Sequence, residues 1–219
     1  MTERPVMNHD ATEPDGPGGS PPSSAQRTLR RRHVLITAGA TVAMYATGAA
    51  FAAGQATGEA GIWAPISDAA VLGFAASLLP VVTASAHDLR LAGATSARGV
   101  RILGLTAAAL VIAGSTFLLV TDLGLVRLEG PLAGAGLVVQ FLGLAAVGAW
   151  LARLGVLTIR HGLWSRVAGW SAIVGGIGFM AGTVAAALQL FGNPLFLIAY
   201  VIAVGGFGTW LVTMIRRTH

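Results

Sequence analysis

The run ILGLTAAALVIAGSTFLLVT occupies residues 102–121, between Arg101 and Asp122. It carries no charge over a length that, as an α-helix rising about 1.5 Å per residue, crosses the roughly 30 Å hydrocarbon core of a bilayer. A helix satisfies its own backbone hydrogen bonds, which lipid cannot do for it. Five more apolar runs flank this one, at about 34–54, 67–86 (uncharged from 69), 131–152, 167–190 and 194–215. The reading is all-α: a polytopic membrane protein built as a six-transmembrane-helix bundle.

Composition agrees. The chain is 54% hydrophobic, with mean hydropathy +0.73, and 11% charged, against about a quarter in soluble domains. Its 219 residues allow one helical bundle and one short tail. Residues 1–26 hold five of the nine prolines among glycines and serines. Too few apolar groups are present there to offset chain entropy, so a disordered cytoplasmic tail is expected. The transmembrane domain is 27–219.

The arginines set the orientation. Arg4, Arg27, Arg30, Arg31 and Arg32 precede the first run, Arg90, Arg98 and Arg101 lie between the second and third, Arg153, Arg160 and Arg166 between the fourth and fifth, and Arg216 and Arg217 at the end. With six alternating spans all of these face the cytoplasm, leaving Arg127 outside with Glu59, Asp68, Asp122 and Glu129. Both termini are therefore expected in the cytoplasm. Trp150, Trp164, Trp170 and Trp210 fall near the cytoplasmic boundary and Trp63 near the outer one, as interfacial anchors would. An alternative takes Arg31-Arg32-His33-Val34-Leu35 as a twin-arginine export signal, cleaved near Ala50–Ala53 to leave five spans.

Several boundaries carry capping chemistry. Ser67-Asp68 suits the start of the second span, and Pro131 and Pro194 suit first helical positions. The connections are short except at 87–101 and 153–166. The latter is expected to lie along the headgroups or to continue the fourth helix.

Chemistry-bearing patterns are sparse. With no cysteine there are no disulfides, thiolate sites or thiol nucleophiles. No Asp, Glu, Arg or His is expected deep in a span, which argues against proton-coupled transport. The candidate site is a shallow polar cavity opening outward, formed by Ser77, Ser115, Thr116, Asp122, Gln140 and Tyr200, with Asp68 also at its mouth. Ser115 and Asp122 are seven residues apart and share a helix face. The simpler expectation is that these groups hydrogen-bond between helices or to their own backbones. His33, His87 and His161 stand at cytoplasmic ends without metal-ligand spacing. Gly178 and Gly182 form a GxxxG, read as close packing in the bundle or as a homodimer face. Gly114-Ser115-Thr116 is not a GxSxG elbow, and no phosphate-binding loop is present. No catalytic residue, metal or cofactor is expected, and the positive charge is accounted for by topology rather than by nucleic acid.

The stretch from Arg153 to Arg217 runs from a span ending near Trp150, through Arg160-His161-Gly162-Leu163-Trp164-Ser165-Arg166, into the Gly-rich span opened by Val167-Ala168-Gly169-Trp170. It resembles several small bacterial six-helix integral membrane families of unknown function. The resemblance covers about a third of the chain. It implies a six-helix fold in the plasma membrane and carries over no functional residue. The excess of arginine over lysine also points to a bacterial, GC-rich genome. The functional expectation is a non-enzymatic regulatory, scaffolding or complex subunit, working with membrane lipids and with a second copy or another membrane protein. The alternative is a carrier or channel for a small neutral solute, or the membrane half of a transporter.

Overall fold

The computed structural model describes residues 24–127, 134–188, 190 and 193–216. Residues 1–23 of the predicted 1–26 tail, the Pro131 cap, and Arg4, Glu129 and Arg217 lie outside the described residues, while residues 24–26 form the first turn of α1 (Ser24–Thr57). Six helices are present: α1, α2 (Ala60–Leu91), α3 (Ala97–Asp122), α4 (Ala135–Arg160), α5 (Arg166–Ala187) and α6 (Pro194–Arg216). Among the described residues there is no strand. All six helices are long and apolar enough to cross a membrane. Large apolar side chains such as Val42, Ile62, Leu142, Ile177 and Val201 stand on the outside of the bundle. So much exposed apolar surface suits lipid rather than water.

Each helix packs along the next in sequence. α1 and α6 also meet, less closely than sequence neighbours do, and close the row into a ring, while α2 just touches α4. The successive helices run antiparallel. One end of the bundle therefore gathers Arg30–Arg32, Arg90, Arg98, Arg101, Arg153, Arg160, Arg166 and Arg216, and the other gathers Glu59, Asp122 and Arg127.

The core is aromatic. Phe74 stacks on Phe179 with ring centroids 6.1 Å apart, and Phe207 meets Phe74 edge-on at 5.9 Å. Trp150 and Trp210 cross at 90° with centroids 6.0 Å apart, an arrangement favoured by the ring quadrupoles. Both are fully buried. Trp150 and Trp210 are thus core residues, not the interfacial anchors that their place near the span ends predicts. Each turns inward because its helix face there points at the bundle axis. Trp170 is exposed, and Trp164 leans on Trp210 at 6.2 Å.

Close backbone approach joins α4, α5 and α6. A Cβ added to Gly206 would lie 2.4 Å from the Gly175 nitrogen, and one added to Gly176 would lie 2.4 Å from the Gly148 oxygen. Only glycine permits such contact. Gly178 packs against the Ala203 backbone and Gly182 faces Ala199, so this GxxxG is spent inside the bundle on α6.

The helix ends correct one expectation and settle others. α2 begins at Ala60 rather than at Ser67-Asp68, and passes through Pro65 and Pro80. Residues 60–66 are uncharged, so nothing stops the helix from extending upstream, and Asp68 becomes an interior residue instead of a cap. Asp68 lies eight residues into α2, near its first end rather than deep in the span. α4 continues to Arg160, and Ser165 then caps α5 by accepting from the Ala168 N–H at 3.1 Å. α6 starts at Pro194, with the Asn193 side chain accepting from the Leu195 N–H at 2.9 Å.

Candidate functional site

Two features stand out, a buried polar cluster and an apolar groove. The cluster is centred on Gln140, one turn into α4 and almost wholly buried. Its Nε2 donates to the Asp68 Oδ1 of α2 at 3.0 Å and to the Ser115 hydroxyl of α3, also at 3.0 Å. One amide thus ties three helices. The tie is possible because Gly114 lets α3 approach the Gln140 backbone; a Cβ there would sit 2.4 Å from the Gln140 nitrogen. Asp122, exposed at the end of α3, lies close enough to Asp68 for the two carboxyl groups to interact.

The structure therefore gathers Ser115, Asp122 and Gln140 around Asp68, and disperses the other candidates. Ser77 is on the α1 side of α2, where its hydroxyl donates to the Phe74 carbonyl at 2.7 Å and its own carbonyl accepts from Thr37 at 2.8 Å. Thr116 is exposed on the outer surface of α3. Tyr200 reaches from α6 to donate its hydroxyl to the Tyr45 carbonyl of α1, and the two rings meet edge-on at 4.9 Å.

That Tyr45–Tyr200 bridge belongs to the groove, which has a volume of about 500 Å³ and lies between α1 and α6 where the ring of helices is most loosely closed. Its walls include Ala38, Val42, Val204, Gly208 and Val212, with Thr41 and the two tyrosines as the polar members. The size falls within the ~300–1,000 Å³ of ligand sites.

Most buried hydroxyls bond to helix carbonyls. Thr41 donates to the Thr37 carbonyl, Ser171 to Ala168 and Thr183 to Phe179. Among the described residues the buried atoms without a partner are the hydroxyls of Tyr45, Ser85 and Thr158 and the indole nitrogens of Trp150 and Trp210. No group of three or more His, Asp or Glu comes together among the described residues. His87 instead contacts the Arg90 guanidinium, 3.0 Å away on the same helix face.

Sequence reasoning missed the Gln140–Asp68 tie and an ion pair between Arg30 of α1 and Asp88 of α2, whose second contact spans 3.1 Å. The available signals were an amide and an acid inside otherwise uncharged apolar stretches, and Asp88 as an acid among the arginines. Comparison with known protein families, curated proteins and solved structures finds no match for this chain.

Proposed function

We propose that this chain is a non-enzymatic, multi-pass protein of a bacterial plasma membrane, with both termini cytoplasmic. It acts as a regulatory, scaffolding or complex subunit through contacts with other membrane components. Those components are lipids, a second copy of the chain, or another membrane protein. The single observation that carries this reading is how the buried polar groups are used. Gln140 is committed to Asp68 and Ser115, and among the described residues every other buried hydroxyl except those of Tyr45, Ser85 and Thr158 bonds to a helix carbonyl. Among the described residues, groups spent in this way hold helices together rather than line a polar path or activate a nucleophile. The arginine asymmetry supports the orientation.

A second reading, a carrier or channel for a small neutral solute or the membrane half of a transporter, draws on the unpartnered Ser85, Thr158, Trp150 and Trp210 groups in the arginine-rich half. Mass spectrometry of the protein purified from its native membrane in a mild detergent separates the two. A stoichiometric protein partner is expected. A protein that emerges alone with a bound small polar molecule would overturn the subunit reading in favour of transport.

A further inference from the structure

The groove between α1 and α6 is mainly apolar, and helix spacing carries an arginine on each wall toward one end. On α1 its lining residues Ala38, Val42, Tyr45 and Ala49 recur at helical spacing, and the same face continued seven residues back from Ala38 reaches Arg31. On α6 the row Val204, Gly208 and Val212 reaches Arg216 four residues on. Both arginines are exposed. Arg30 is already committed to Asp88, so the acid nearest this mouth is neutralised. From Arg31 to Tyr45 is fourteen residues, about 21 Å of helix. That matches one leaflet, about half of a ~30 Å hydrocarbon core, plus its headgroup layer. Tyr200 bridges to α1 at the far end of this length.

We propose that this groove holds an acyl chain of an anionic phospholipid from the arginine-rich leaflet, whose phosphate is held by Arg31 and Arg216. Between the arginines and the Tyr45–Tyr200 bridge the trough is about one leaflet deep, which fits a single chain. Two guanidiniums flanking its mouth select a negative headgroup, since each can offer a planar fork to phosphate oxygens. A partner helix would need no such charge at one end only. The inference stands apart from the subunit reading, since a lipid can fill the groove whether or not a protein partner exists.

The test is native mass spectrometry of the full chain, released from nanodiscs of equal phosphatidylglycerol and phosphatidylcholine. One retained phosphatidylglycerol per chain is expected, in preference to phosphatidylcholine. The Arg31→Gln, Arg216→Gln double variant, on an unaltered fold, should lose that preference by roughly tenfold. Val42→Trp should fill the trough and lower retention of both lipids, whereas Val138→Trp on the outer face of α4 should not. Equal retention of the two lipids by the native chain, or retention unchanged by Val42→Trp, overturns the proposal. So does a stoichiometric protein released by Val42→Trp, which would mean that the groove seats a helix. A protein partner that survives Val42→Trp leaves the subunit reading intact while the lipid result decides the groove.

Discussion

Replacing Gln140 with leucine keeps the volume of a side chain that is 5% exposed, and removes both of its 3.0 Å hydrogen bonds. Interhelical hydrogen bonds in membrane proteins average about 0.6 kcal/mol and reach about 1.7, so the two together are worth roughly 1–3 kcal/mol. One acceptor is a carboxyl group held against the bundle, and stranding it adds to the loss. The expected cost of Gln140→Leu is therefore about 2–4 kcal/mol. The assay is reversible unfolding in bicelles, run as a double-mutant cycle with Asp68→Ala. With Asp68 already removed, Gln140→Leu strands only Ser115 and should cost at least about 1 kcal/mol less than in the native chain. Additivity within about 0.5 kcal/mol would refute the claim that Gln140 and Asp68 act as a pair.

Three other outcomes follow from the same packing. Gly206→Val should cost more than about 3 kcal/mol or prevent folding, because its Cβ meets the Gly175 backbone at 2.4 Å, while Gly205→Val, with open space around it, should be tolerated; thermal unfolding in detergent reads the contrast. Asp88→Ala should cost less than about 1 kcal/mol and lose most of that effect in high salt, since the Arg30–Asp88 pair is partly exposed; unfolding at two ionic strengths checks this. The chain has no cysteine, so Ser115→Cys and Asp122→Cys can be compared directly with a membrane-impermeant thiol reagent. The buried position should stay unlabelled and the exposed one should react, and fast labelling at Ser115→Cys would mean that an open polar cavity reaches it.

The six helices were legible because each contains an apolar run of the length a bilayer demands, and no tertiary information is needed to see that. Pro194 was legible for a similar reason, since capping is local. The start of α2 was not. Ser67-Asp68 looked like a boundary, yet the helix starts at Ala60, accommodates Pro65, and Asp68 is partnered from seventy-two residues away. Trp150 and Trp210 misled because nearness to a span end fixes depth but not direction, and direction depends on which helix lies alongside. The site was half visible. Ser115 and Asp122 share a face by arithmetic, while the meeting of Gln140 with Asp68 depends on Gly114 letting α3 and α4 touch, a contact no single helix encodes.

A ring made almost wholly of sequence neighbours has a consequence for how the protein is made. Each new helix can dock on the one synthesised just before it, so assembly keeps pace with the ribosome and no early helix waits for a distant mate. The exception is the seam, where Tyr200 must find Tyr45 across 155 residues. At about 5–20 residues per second, that separation takes roughly 8–30 s to synthesise. Throughout this interval the open flank of α1 faces the bilayer. α6 therefore closes over whatever the membrane has already placed there, and the order of synthesis gives bulk lipid the first claim on the seam.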